Sequence, residues 1–244
     1  MRTLISLTGE DRLDFLQGLV TNDVRKLAER GILYAALLTP QGKLIADFFL
    51  VDRGDEILID VAEEAAARLF QKLSMYKLRS KVALAESPLT VSRGTGEAPE
   101  GALPDPRHPA LGWRLYGEAQ GDDGTDWEAL RVAHLVPETG VELTDDTFIL
   151  EAGFERLHGV DFRKGCYVGQ EVTARMKHKT ELRKGLALVE VEGPAEPGAE
   201  ITTEGRPAGT LHTISGPRAI AYLRFDRATG EMQAGDAVLR RVEA

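Results

Sequence analysis

The stretch KGCYVGQEVTAR, Lys164 to Arg175, carries the only cysteine of the 244-residue chain. Cys166 lies between Gly165 and Gly169, two positions after Lys164 and ahead of the pair Gln170-Glu171 and Arg175. The two glycines permit tight backbone turns beside the sulfur. The residues from about Gly169 onward read as a helix, which puts Cys166 just before a helix N-terminus. There the helix dipole and nearby Lys164 favour thiolate over thiol. A cysteine so placed is a candidate nucleophile, redox centre or single ligand to a metal shared with a partner. The competing reading is a small apolar filler buried at a glycine-lined contact.

Working outward, the same region runs against the sign of the whole chain. The net charge is −9, from 30 basic and 39 acidic residues, which argues against general nucleic-acid binding over the whole surface. From Asp161 to Lys184, by contrast, Arg163, Lys164, Arg175, Lys177, Lys179, Arg183 and Lys184 face only Asp161, Glu171 and Glu181. One reading is a solvated helix face, with Glu171 and Arg175 at ion-pair spacing. The other is a local contact surface for RNA or protein. One cysteine forms no internal disulfide and by itself holds no zinc or iron–sulfur centre. A reducing compartment, the cytoplasm, is the expected location. No apolar run reaches the roughly 18 residues a membrane helix needs, and the start MRTLISLTGEDRLDF does not read as a signal peptide.

Apolar residues at Leu13, Leu16, Leu19, Val20, Val24 and Leu27 have helical spacing, broken by the turn-prone Thr21 to Asp23. GILYAALLTPQGKLIADFFLVDRGDEILIDV reads as three strands with turns at Pro40 to Lys43 and Arg53 to Glu56. AEEAAARLFQKLSMYKL returns to helix, and SKVALAE and LGWRLYG to strands, with the loop RGTGEAPEGALPDPRHPA between them. TDWEALRVAHLV is a helix capped by Thr125 or Asp126. DDTFILEAGFERLHGVDFRKGCYVGQEVTARMKHK supplies short helical pieces and the last helix. After Glu181 come short strands divided by glycine and proline, the texture of a small β-barrel or sandwich. The expected domains are therefore residues 1–180, α+β, and 181–244, β, with the boundary near Lys179 to Arg183.

Nucleotide-binding glycine patterns and the G-x-S-x-G elbow are absent. The histidines at 108, 134, 158, 178 and 212 make no H-x-x-x-H pair, so no permanently bound metal is expected. What remains is the cysteine segment, and it resembles the YgfZ family signature K-G-C-[FY]-x-G-Q-E-x-x-x-R at every fixed position. LTGEDRLDFLQGLVTNDVRKL, LLTPQGKLIADFFLV, LPDPRHPALGWR and LRVAHLVPETGVEL agree in order with the same family. The family is similar in fold to the T-protein of the glycine cleavage system, a tetrahydrofolate-dependent aminomethyltransferase.

The resemblance implies an α+β fold of two interlocked ferredoxin-like lobes around a central channel, followed by a small C-terminal β-barrel. It implies tetrahydrofolate as ligand, iron–sulfur client or assembly proteins as partners, no membrane, and a role in assembly or maintenance of iron–sulfur enzymes through Cys166. Lys164, Gly165, Tyr167, Gly169, Gln170, Glu171 and Arg175 are carried over with the signature. Asn22, Asp23, Gln41, Tyr76 and Arg79 are the folate candidates; the plain reading of Asn22, Asp23 and Gln41 is a turn, and that of Tyr76 and Arg79 a helix end packed on a strand. Two departures speak against aminomethyl transfer. Alignment with the T-protein puts Ala46 in the place of its catalytic carboxylate, with Asp47 second, and Ala133 in the place of the glutamate of R-x-E-x-G, whose glycine falls on Leu135. A folate-dependent one-carbon transferase or demethylase remains the alternative, and an RNA- or protein-contacting module the second.

Overall fold

The computed structural model describes residues 1–121, 123–178 and 181–242; Lys179, at the expected boundary, lies outside them. Contacts divide the chain into two compact units, one of residues 1–125 and 154–174, the other of 126–153 and 175–244. The sequence expectation drew a single boundary at 180. Residues 126–153 group with the C-terminal segment because their buried polar groups are answered there.

The first unit opens with β1 (Arg2–Thr8), α1 (Arg12–Gln17) and α2 (Leu27–Arg30), followed by β2 (Ile32–Leu38), β3 (Leu44–Asp52), β4 (Glu56–Ala62), α3 (Glu63–Tyr76) and β5 (Ala83–Glu86). The strands form an antiparallel sheet in the order β2-β3-β4-β1-β5. The three-strand run is where turn punctuation placed it. The helix expected from Gly9 to Leu27 is broken where expected, and β1 is a strand the helical reading passed over. α3 lays Ala65, Ala66, Leu69 and Leu73 on the sheet, at the spacing of one helix face.

Alternation makes the two sheet faces chemically different. One carries Ile5, Leu7, Leu33, Ala35, Leu37, Ala46, Phe48, Leu50, Ile57, Ile59 and Val61 into an apolar core with α3. The other carries Arg2, Tyr34, Asp47, Phe49 and Asp60. Register sets Tyr34 beside Phe49 and Phe49 beside Asp60. This face is covered by a small sheet of β6 (Thr90–Gly94), β7 (Leu103–Pro104) and β8 (Trp113–Gly117). From β8, Arg114 and Tyr116 both bond Asp60 Oδ2, at 2.6 and 2.9 Å. Arg107 pairs with Asp105 through two side-chain bonds of 3.0 and 2.8 Å. The guanidinium carbons of Arg107 and Arg114 stand 4.8 and 4.0 Å from the Phe49 ring centre. Desolvating that many charges is tolerable because each has a partner.

The second unit begins with α4 (Trp127–Ala133), whose cap Asp126 accepts from Ala129 N at 2.9 Å. Its barrel is closed from β9 (Lys184–Glu192), β10 (Glu200–Thr203), β11 (Arg206–Ser215), β12 (Arg218–Arg224), β13 (Glu231–Ala234) and β14 (Ala237–Arg241), in the order β10-β11-β12-β9-β14-β13. Ala187, Ala208, Ala219, Ala221 and Ala234 line the interior with Val189, Leu211 and Leu239; a barrel of so few strands has room for little more. Arg131 of α4, buried, donates to Glu142 at 3.2 Å and to Thr213 of β11 at 3.2 Å, which ties 126–153 to the barrel. The short helical pieces expected from Asp145 to Lys164 are turns instead, and the helix of this region is α5 (Gln170–His178). No helix among the described residues is long and apolar enough to cross a membrane.

Candidate functional site

The cysteine loop is held from below by the segment after α1. Asp161 N donates to Thr21 O at 3.0 Å, and Lys26 pairs with the Asp161 carboxylate. Lys164 is buried, and its Nζ donates to the carbonyls of Gln17 and Val20, 2.6 Å each. Gln17 Nε2 returns a bond to Lys164 O at 3.1 Å. Burial pulls the Lys164 ammonium down to about 8, against the opposing pull of Asp23 and Asp161. The lysine thus serves as an internal brace, while Cys166 remains among the charges that act on it.

On the other side of the sulfur, Tyr167 is also buried, with Lys164 Nζ 5.1 Å from its ring centre. Burial raises its phenol above the ordinary value, while a hydrogen bond with Thr173 lowers it. Cys166 itself is exposed. The filler reading is therefore wrong: the chain buries residues 164 and 167 and leaves 166 outside.

The two signature glycines do different things. Gly165 has φ +99° and open space around its Cβ position, so only backbone conformation demands it there. Gly169, at φ +83°, has Thr39 O 2.6 Å and Leu38 Cβ 2.9 Å from where a Cβ would lie. Facing it, Gly42 in the turn between β2 and β3 has Val172 Cβ 2.8 Å from its own Cβ position. The first turn of α5 is thus pressed on the PQG turn, glycine against glycine, with Thr173 Oγ1 donating to Gly169 O at 3.2 Å. Glu171 and Arg175 are exposed, and Gln170 is half-buried at the start of α5.

The residues considered for folate have local roles in the structure. Asn22 is buried and spends its amide on the carbonyls of Tyr34 and His158, 2.7 Å each, while its oxygen accepts from Asp23 N at 2.8 Å. Asp23 accepts from Gln17 at 3.0 Å and from Arg25 N at 3.3 Å, capping a short 3-10 turn. Gln41 is exposed in the PQG turn, Tyr76 packs on the apolar core, and Arg79 is exposed beyond α3. Ala46 points into the apolar core, whereas Asp47, one residue on, faces the other side of the sheet and accepts from Tyr34 OH at 3.0 Å. Ala133 is exposed on α4. Reading residue types alone missed the charge layer of Arg2, Asp60, Asp105, Arg107 and Arg114; the readable signal was a charge at an inward position of a mostly apolar strand, Asp60 in β4 and Arg114 in β8, while Asp105 and Arg107, in the loop after β7, gave none. A cavity of about 290 Å³ in the second unit is lined by Glu151, Met176, Lys184, Arg224 and neighbours. Neither Cys166 nor any folate candidate lines it.

Comparison with known proteins gives this geometry a family. Residues 183–243 match the family model for the CAF17 C-terminal beta-barrel domain. The mitochondrial iron–sulfur cluster assembly factor IBA57 of Mus musculus is 30% identical, over 95% of this chain and 78% of its own length. The chain belongs to the IBA57 family. A homologue from Mycosarcoma maydis is 32% identical over 75% of this chain and 54% of its own length, and one from Neurospora crassa 32% identical over 84% and 55%. The chain thus spans about half the length of these fungal IBA57 homologues. The fold is that of the glycine cleavage system aminomethyltransferase T from Bartonella henselae, with TM-score 0.80 at 14% identity, covering 100% of this chain and 83% of that one. The YgfZ resemblance thereby narrows to the related IBA57 family. The cytoplasmic location expected from the lone cysteine is corrected by the same names, since the IBA57 relatives are mitochondrial. A reduced thiol reports the redox state of a compartment and does not identify which compartment it is.

Proposed function

We propose that this chain is an assembly or maintenance factor for iron–sulfur proteins, and that Cys166 is the group it brings to a cluster held mainly by other proteins. Membership of the IBA57 family supports the class of function. The observation that carries the role of the thiol is its placement: Cys166 is exposed while the residues on either side of its loop, Lys164 and Tyr167, are buried. Iron–sulfur clusters are held by about four cysteine thiolates, and this sequence contains one. Among the described residues no three His, Cys, Asp or Glu side chains gather where they could hold a metal ion. A cluster here is cargo shared with a partner's thiolates.

Tetrahydrofolate is proposed as a ligand on the strength of the shared aminomethyltransferase fold alone. The Asn22 amide is already held by backbone carbonyls, and no chemical step is routed through folate. Aminomethyl transfer is disfavoured, because Ala46 faces hydrocarbon and Ala133 offers no hydrogen bond. The test is complementation of a strain lacking its own IBA57-family gene, with iron–sulfur enzyme activity as readout. Wild-type chain is expected to restore activity and Cys166→Ser to fail. Full restoration by Cys166→Ser would remove the thiol from the account, and failure of the wild type would remove the function.

A further inference from the structure

The end of α3 carries an exposed surface that the thiol does not explain. From Ala65 to Ala85 the chain has five basic residues, Arg68, Lys72, Lys77, Arg79 and Lys81, and no acidic one, in a protein of net charge −9. Two large apolar side chains stand out of this basic run, Met75 at 61% exposure and Leu78 at 88%. Leu78 also has φ +42°, a backbone state that L-residues avoid. The fold thus tolerates strain at a leucine whose side chain contributes almost nothing to the core. Tyr76, between them, packs inward and anchors the helix end.

The patch is mechanically joined to the cysteine loop. Asp11, just before α1, accepts from Lys81 N at 2.7 Å, and Glu10 pairs with Lys81. The far end of α1 supplies Gln17, which bonds Lys164 O. At about 1.5 Å per residue a six-residue helix separates its ends by about 9 Å. Leu13, on the outer face of α1, is itself 42% exposed.

We propose that Met75 and Leu78, with Lys72, Lys77 and Arg79 around them, form a docking surface for a partner protein that presents an acidic segment bearing an apolar recess. Charge complementarity selects that occupant. An acidic segment small enough to sit on Met75 and Leu78 meets chiefly Lys72, Lys77 and Arg79, since Lys81 already pairs with Glu10 and screening confines fields to about 8 Å at physiological salt. An anionic membrane is an extended plane and would face the negative remainder of the chain as well. The proposal gives the function above a partner class and rests on it only for the purpose of docking, not for the contact itself.

The test uses the full chain with a photo-crosslinking phenylalanine at position 78, irradiated in cells, followed by sequencing of the crosslinked peptide. The expected product is an acidic segment of another protein that contains apolar residues. A synthetic peptide of that sequence should then bind wild type at least tenfold more tightly than Leu78→Glu or Met75→Glu, with an affinity that falls as salt rises. Adducts with lipid, with a second copy of the chain or with a basic or neutral segment, no adduct, or peptide binding unchanged by both variants would each overturn the proposal. Cys166→Ser should leave peptide binding intact, and Leu78→Glu should leave the alkylation rate of Cys166 intact. Failure at the thiol and failure at the docking surface are therefore read separately.

Discussion

Alanine placed at each of the two signature glycines separates backbone conformation from packing. Both positions have positive φ, +99° at Gly165 and +83° at Gly169, so each alanine pays the left-handed penalty of about 1–2 kcal/mol. Both also gain the same small benefit from a stiffer unfolded chain, about 0.4–1 kcal/mol, which cancels in the comparison. The surroundings differ. At Gly165 nothing lies within 4 Å of the added methyl, whereas at Gly169 it would stand 2.6 Å from Thr39 O and 2.9 Å from Leu38 Cβ. The first of these neighbours is backbone and the second is attached directly to it, so the PQG turn or α5 must shift. Overpacking of this kind costs about 1–3 kcal/mol. Gly169→Ala is therefore expected to be less stable than Gly165→Ala by about 1–3 kcal/mol in urea unfolding, with m unchanged. Gly42→Ala, facing Val172 at 2.8 Å, should behave like Gly169→Ala. Equal costs at 165 and 169 would refute the clamp between α5 and the turn.

A second prediction concerns Leu135, which follows the cap His134 of α4 at φ +51°. Leu135 N reaches Val132 O at 3.2 Å and Val136 N reaches Arg131 O at 2.8 Å, the paired bonds of a helix end that favours glycine at this position. Leu135→Gly should be more stable than Leu135→Ala by about 1 kcal/mol, measured by urea unfolding; the alanine control subtracts the lost leucine contacts, and an alanine variant as stable as the glycine would contradict it. The third concerns acid. Burial raises the Asp60 carboxyl, but Arg114 and Arg2 outweigh it and the net shift is downward. The unfolded carboxylate then takes its proton at higher pH than the native one. Stability from Asp60 is complete above about pH 3.9 and is lost as pH falls through the lower native value. Asp60→Asn, which leaves Arg2 and Arg114 without their partner, should cost about 3–5 kcal/mol at neutral pH and lack that acid-limb slope; an unchanged acid limb would refute the assignment.

The strand run from Ile32 to Ala62 was legible because PQG and RGDE punctuate it locally, and the barrel because glycine and proline recur between short β segments. β1 was not, because what makes Arg2–Thr8 a strand is distant: Arg2 pairs with Ala62 and Ile5 with Glu86. Residues 145–159 mislead for the opposite reason. Their apolar spacing is helical, but the chain turns so that Phe154 can stack on Tyr34 at 5.0 Å between ring centres, and Gly159 N closes onto Phe154 O at 2.7 Å. At the site, a lysine beside a cysteine suggested an electrostatic neighbour. The two do act on each other through charge, but the hydrogen-bond partners of the lysine, the carbonyls of Gln17 and Val20, lie 147 and 144 residues away in sequence, and no local pattern announces them.

That displacement of the lysine changes what the signature means. Lys164, Tyr167, Gly169 and Thr173 are spent on anchoring: two carbonyl bonds, a buried ring, a backbone contact and a helix-start bond. Cys166, Glu171 and Arg175 are the positions left facing solvent. A motif whose purpose was to build a catalytic pocket would turn its polar groups toward a common point. Here Lys164 turns inward against the scaffold while Glu171 and Arg175, like the sulfur, stay exposed, an arrangement that fits the proposed sharing of one thiolate with a cluster whose other ligands belong to a second protein.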